Sequence, residues 1–175
     1  MTALYMQIIR GIIYVAPAYI ANSSPVIVGG GPPIDMGKNF IDGRRIFGDH
    51  KTIRGLIGGI LFGTLTGLII FPFISRVDFQ CSIGEAILWA LLLSIGTHIG
   101  DLLGSFIKRR LNMKPGSPAP ILDQIGFIIF ALLLAWPRYP WITSTEITIV
   151  IILTLIIHPL SNVAAYLAGL KDKPW

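Results

Sequence analysis

Asp101, Ser105 and Lys108 fall at i, i+4 and i+7 in the stretch GTHIGDLLGSFIKRR, residues 96–110. That spacing sets them along one face of a helix. Arg109 and Arg110 follow at once, and Asp123 stands at the start of the next apolar run. Two carboxylates ringed by cations suit a divalent ion that holds a polyphosphate. Carboxylates are hard oxygen ligands for Mg²⁺, which usually binds through one or two of them plus substrate phosphates. Lysine and arginine then neutralise the remaining phosphate charge. The same spacing equally admits a structural reading, in which Asp101 pairs with Lys108 or a neighbouring arginine and the cations only set topology.

The elements that must carry these residues are membrane spans. The chain is 53% hydrophobic and 13% charged, with a mean hydropathy of +0.72, whereas soluble domains are about 25% charged. Apolar runs approaching the roughly 20 residues needed to cross a bilayer are expected at 3–21, 55–74, 84–106, 121–137 and 144–168. The expected fold is therefore an all-α integral membrane protein, a single transmembrane domain over 1–175 with five helices and a lipid bilayer around it. The N-terminus does not read as a secretory signal, because no basic stretch precedes the apolar run and Arg10 lies inside it. Cys81, the one cysteine, excludes an intrachain disulfide framework and has no neighbours that would make a metal site. Ser82 and Glu85 form a capping-box pattern at the head of the third span, and Trp136, Tyr139 and Trp141 read as an interfacial aromatic belt. A helix from Ile83 to Asp101 rises about 27 Å, so Asp101 is expected at a membrane interface, where the positive end of the next helix favours Asp123.

Five spans put the 22–54 loop, the 107–120 loop and the C-terminal tail on one face. That face holds eleven of the fourteen basic residues, which by the positive-inside rule makes it cytoplasmic, with the N-terminus outside. Cell-membrane localisation follows, with the site on the cytoplasmic side. Nucleic acid is not an expected partner. Gly55, Gly59, Gly63 and Gly67 recur every four residues and form a smooth stripe for close helix packing. Packing within one subunit is one use of it, and a homodimer through the stripe is the alternative.

The 22–54 loop reads as an ordered substrate-binding segment. It carries Gly29, Gly30 and Gly31, whose amides can cradle an anion, five basic residues, and Asp35, Asp42 and Asp49 at intervals of seven. His98 reads as a packed, hydrogen-bonded histidine, His158 as a residue at a Pro159 kink with Asn162 one turn on, and Arg10 as a side chain snorkelling outward.

The stretch GDLLGSFIKRRLNMKPGSPAPILDQIGF resembles the C-terminal signature of the CTP-dependent phosphatidate cytidylyltransferases, through Asp101, Ser105, Lys108-Arg109 and Asp123. The short five-span chain and the loop NSSPVIVGGGPPIDMGKNFIDGRRIFGDHKTIRG resemble more closely the archaeal branch of that group, the CDP-archaeol synthases. Two features depart from the bacterial-type pattern: Pro-Gly-Ser-Pro-Ala-Pro replaces Pro-Gly-His-Gly-Gly, and Asp123-Gln124-Ile125-Gly126 replaces Asp-Arg-x-Asp. The resemblance implies cytidylyl transfer from CTP to an isoprenoid ether-lipid phosphate, 2,3-bis-O-geranylgeranylglycerol 1-phosphate, with release of pyrophosphate. It implies Asp101 and Asp123 as Mg²⁺ ligands, with Asp49 or Asp42 as a candidate third, and Asp101, Asp123 and Lys108 as catalytic residues. Lys38, Arg44, Arg45 and Lys51 are expected on the CTP phosphates, Lys108 and Arg109 between CTP and lipid phosphate, and Asn22 and Ser23 at polar contacts. The competing readings are a CTP-dependent lipid kinase and a non-enzymatic transporter or assembly subunit. Ionisable residues gathered on one face, without a detectable inverted repeat, count against transport.

Overall fold

The apolar runs form helices α1 (Leu4–Ser23), α3 (Ile53–Ile74), α4 (Ile83–Arg110), α5 (Pro120–Ala135) and α6 (Ser144–Leu167), with a four-residue α2 (Pro25–Val28) after α1. The computed structural model describes residues 3–114 and 116–174. Among these residues the only non-helical pairing consists of two isolated antiparallel bridges, Pro33 with Thr52 and Asn39 with Arg45, which fold the loop between α2 and α3 back on itself. Four apolar segments are long enough to cross a membrane: Leu4–Val28, Ile53–Ile74, Ile83–Arg110 and Ser144–Leu167. The fifth, α5, has 16 residues, about 24 Å of rise, and ends at Ala135 rather than at 137. α4 runs the other way, with 28 residues and about 42 Å of rise. It outreaches a hydrocarbon core of about 30 Å and carries Lys108, Arg109 and Arg110 beyond it as helix.

The caps follow the local sequence. The Ser82 hydroxyl accepts the Glu85 N–H, and Glu85 accepts the Ser82 N–H at 2.8 Å. Thr143 and Glu146 make a second box at the head of α6.

Small residues decide which helices meet. A Cβ on Gly59 would stand 2.1 Å from His98 Nε2 and 2.8 Å from the Ala21 carbonyl oxygen; on Gly63, 2.2 Å from Ser94 Oγ and 2.8 Å from the Pro17 carbonyl oxygen. The α3 stripe is thus filled by α1 and α4 of the same chain. That packing corrects the alternative expectation: the stripe offers no open face to a second copy. Gly96 and Gly100 do the same work between α4 and α5, where added Cβ atoms would lie 2.5 Å from the Phe130 and Gly126 carbonyl oxygens. Large apolar side chains point outward instead, among them Ile57 and Ile69 on α3 and Ile156 and Leu160 on α6, as a bilayer-facing surface requires.

At the end of the bundle away from the basic loops, Tyr14, Phe79, Trp89, Tyr139 and Trp141 pack as one aromatic cluster, with Phe79 stacked on Trp141 at 5.6 Å. This corrects the aromatic-belt expectation. Tyr139 is 1% exposed, Trp141 packs against the core, and only Trp136 of the three is exposed. Arg10 is corrected as well. Its side chain, 14% exposed, turns inward to Glu146 Oε1 at 2.7 Å and to the carbonyl oxygens of Val77 and Trp141, under the face of Phe79. Those groups satisfy the guanidinium inside the bundle better than a stretch toward water.

Candidate active site

Asp35 builds the loop that walls the site. Its carboxylate is buried and accepts the N–H groups of Gly37, Phe47 and Gly48, at 3.2, 2.9 and 2.9 Å, plus Arg45 NH2 at 2.6 Å. Burial by itself would raise its pKa, but the Arg45 guanidinium and the three amides together hold the carboxyl well below the usual carboxylate range. Arg45 also pairs with the exposed Asp49 at 2.6 Å, and its pKa is raised by Asp35 first and Asp49 second. The folded loop is then fastened to α4 by Arg110, which donates to the Arg45 carbonyl oxygen at 2.6 Å, pairs with Asp42 at 2.8 Å, and lies over the rings of Phe40 and Phe106. Arg44 donates in return to the Arg110 carbonyl oxygen.

Behind this loop lies a cavity of about 480 Å³. The end of α1 contributes Asn22, the cap after α2 contributes Gly29, and the loop contributes Gly48, His50 and Lys51. α4 supplies His98, Asp101, Ser105, Lys108 and Arg109, and the segment after α6 supplies Lys171 and Lys173. Lys51 Nζ donates to both oxygens of Asp101 at 2.6 Å. Lys108 Nζ reaches away from Asp101 to Asp123 Oδ1 at 2.6 Å, and Asp123 Oδ2 accepts the Ala119 N–H at 2.9 Å. Each carboxylate therefore has a lysine from a different element as its counter-ion, and the Asp101–Lys108 pair of the structural reading does not form. Arg109 is buried beneath Gly48, with NH2 donating to the Lys114 carbonyl oxygen at 3.2 Å.

Of the expected site residues, the cavity lining brings together Asn22, Lys51, Asp101, Lys108 and Arg109, and Asp123 joins them through Lys108. Lys38, Arg44, Arg45, Asp49 and Ser23 are not in that lining. Arg44, Arg45 and Asp49 are engaged in the loop's own bonds, and the Ser23 hydroxyl donates to the Tyr19 carbonyl oxygen. Asp42, paired with Arg110, also stands apart from Asp101. Ser105 of the signature also lines the cavity, and His50, Thr52, Lys171, Asp172 and Lys173 enter the lining without having been singled out for the site. His98 is buried at the cavity wall, with Nε2 against Gly59 and, among the described residues, no hydrogen-bond partner. It is packed as expected, but not bonded.

A divalent cation fits this donor set. Among the described residues no three His, Cys, Asp or Glu side chains group to hold an ion by themselves. Mg²⁺ needs no such cage, since it keeps waters and takes substrate phosphates beside one or two carboxylates. Asp101 and Asp123 are about one-third exposed. Both are already matched to cationic charge by lysine ammonium groups.

The fold and this cavity define a multi-pass membrane protein with a charged pocket at one end of its bundle. The family model described as CarS-like, CDP-archaeol synthase, matches residues 4–175. The chain is 49% identical to the CDP-archaeol synthase of Pyrococcus horikoshii over 97% of its own length and 98% of that protein's. It is 46% identical to that of Methanocaldococcus jannaschii over 98% and 99%. A solved structure of an intramembrane enzyme for archaeal membrane lipid biosynthesis superposes with a TM-score of 0.79 at 35% identity, covering 89% of this chain and 94% of that one. The chain belongs to the CDP-archaeol synthase family.

Proposed function

We propose that this chain transfers the cytidylyl group of CTP to an isoprenoid ether-lipid phosphate, 2,3-bis-O-geranylgeranylglycerol 1-phosphate, in archaeal phospholipid synthesis. An oxygen of the lipid phosphate bonds to the α-phosphorus of CTP, the α–β phosphoanhydride bond breaks, and pyrophosphate leaves. The observation that carries this reading is the pair of lysine-countered carboxylates on α4 and α5, set at the end of the membrane bundle beside a cation-lined cavity. Phosphates and a bilayer-held acceptor can meet there without either leaving its own medium.

Such transfers depend on positioning and charge stabilisation. Lys51, freed from Asp101, and Arg109 bind and orient the CTP phosphates, and the buried Arg109 is steered by its bond to the Lys114 carbonyl oxygen. Lys108, released from Asp123, takes up charge as the α-phosphorus gains its fifth oxygen. Asn22 offers an amide to the nucleotide. Arg45 serves the site by fixing the loop through Asp35, and Arg44 by anchoring that loop to α4. Asp101 and Asp123 would hold Mg²⁺, which when bound supplies Lewis-acid polarisation of the α-phosphate and charge for the leaving pyrophosphate. No general base is needed, because a lipid phosphate is already anionic at neutral pH. The basic loops and the cavity face the cytoplasm, the source of CTP, and the N-terminal end of α1 faces outward.

Detergent-purified protein given CTP labelled at the α-phosphorus, Mg²⁺ and the geranylgeranyl ether-lipid phosphate is expected to move label into the lipid phase. Asp101→Asn and Asp123→Asn each lower that rate by at least about a hundredfold. Transfer that survives both substitutions removes the two carboxylates from the site. Lipid labelling from γ-labelled CTP instead makes the protein a lipid kinase.

A further inference from the structure

The loop between α2 and α3 places apolar side chains where turns are normally polar. Asn39 and Arg45 pair as an antiparallel bridge, and the Gly43 N–H closes the tip on the Phe40 carbonyl oxygen at 3.0 Å. Inside that four-residue turn, where glycine, asparagine, aspartate and proline are favoured, stands Ile41, 94% exposed. Met36, on the preceding turn, is exposed as well. Lys38 lies between them in the chain. It is exposed, stands outside the cavity lining, and among the described residues forms no ion pair.

The depth of this tip follows from α4. A helix that enters the hydrocarbon at Ile83 leaves it about 20 residues on, close to Leu103. Phe106 and Ile107 then lie about 5 Å beyond, at headgroup level. Phe40 meets Phe106 edge-on, with ring centroids 5.2 Å apart, which sets the tip at that same level. Leu103, Ile107 and Leu111, at i, i+4 and i+8 on one helix face, are all exposed. The lipid-facing stripe of α4 thus runs past the hydrocarbon boundary, and the tip of the loop borders it. The charges fit an anionic surface. Asp42, the carboxylate of the turn, is paired with Arg110 at 2.8 Å, so Lys38 is the charge that the tip offers.

We infer that Met36, Lys38 and Ile41 seat the tip of this loop in the headgroup layer of the adjoining leaflet. The two apolar side chains enter the boundary between headgroups and chains, and the lysine meets an anionic lipid phosphate. The occupant is the bilayer rather than a soluble protein, because this surface is continuous with a helix stripe that lipid already covers. Seating the tip braces the far side of the same loop, where Gly48, His50 and Lys51 wall the cavity. The inference does not depend on the reaction carried out in that cavity.

Fluorescence quenching in vesicles tests this. Cys81→Ser removes the native thiol, Ile41→Cys takes an environment-sensitive fluorophore, and the full chain is reconstituted into vesicles of one part phosphatidylglycerol to two parts phosphatidylcholine. The label is expected to be quenched by lipids carrying a nitroxide near the headgroup and to be shielded from iodide in the water. Lys38→Gln in the same chain should lower the ratio of seated to free tip about fivefold, the effect of one lysine at an anionic surface. In vesicles of phosphatidylcholine alone that substitution should change little. Met36→Cys, labelled in the same way, gives an independent reading should the label at position 41 disturb the turn. A tip open to iodide and untouched by the lipid nitroxides overturns the inference. So does a tip shielded from both quenchers, which means that protein covers it, and a second copy if the shielding is lost on dilution with lipid. A Lys38→Gln effect that is absent, or equal in the two kinds of vesicle, overturns the contact with anionic lipid.

Discussion

Asp35 shows how one side chain can organise a loop otherwise made of glycine turns and like charges. Three amides and a guanidinium converge on it, so the backbone of the cavity wall takes its shape from a single carboxylate. Asp35→Asn keeps the shape of the group but removes its charge, and is expected to cost the loop about 2–3 kcal/mol of local stability. Hydrogen exchange over residues 37–48 should accelerate, with the helix amides unaffected. The pH dependence has a defined sign. The folded carboxyl titrates below its unfolded value of about 3.9, so its contribution is fully present above that pH and fades as pH falls through the folded pKa. The parent loop should therefore loosen in acid below about pH 4, and the Asn variant should lack that transition. The pairs Lys51–Asp101 and Lys108–Asp123 differ from Arg45–Asp35 in the carboxylate, which is about one-third exposed in the cavity and open enough to exchange counter-ions, whereas that of Asp35 is fully buried.

At the scale of elements, the glycine faces of α3 and α4 fix the spacing of the bundle. Gly59→Ala puts a methyl group against a backbone oxygen of α1 as well as against His98. It is expected to cost about 1–3 kcal/mol as overpacking, read as a lower unfolding temperature in detergent. Gly84→Ala on the same bundle, where a Cβ meets nothing within 4 Å, should be neutral or slightly stabilising. The five helices were legible because a membrane span is a local property of its own residues, and the Ser82–Glu85 box because its partners are three residues apart. The α3 stripe was legible as a packing face, but its neighbours are set by which helices lie beside it. The loop was readable as ordered, whereas the choice of Asp35 over Asp42 and Asp49 as its buried hub was not. All three aspartates sit among the same cations, and only the folded chain says which one loses contact with water. Gly169 carried a readable signal, a glycine just past the last helical turn, that turns Lys171 and Lys173 from topology charges into cavity residues.

Across the whole molecule, charge is sorted to the two ends in different ways. The basic-loop end keeps its ion pairs partly open around a cavity, whereas the opposite end buries one closed set of contacts in which Arg10 joins α1, the turn after α3 and the head of α6. Arg10→Met strands Glu146, whose side chain is 2% exposed, and is expected to cost about 3–5 kcal/mol. Glu146→Gln added to the same chain should recover a good part of that loss, measured as unfolding in detergent. The Arg10 contacts also bear on how the protein is made. Arg10 emerges from the ribosome early and its carboxylate partner Glu146 late, 136 residues apart. Until then the guanidinium of the first helix has only the exposed Asp78, at 3.8 Å, as a carboxylate partner, and its buried counter-ion arrives with α6, the helix that closes this set of contacts.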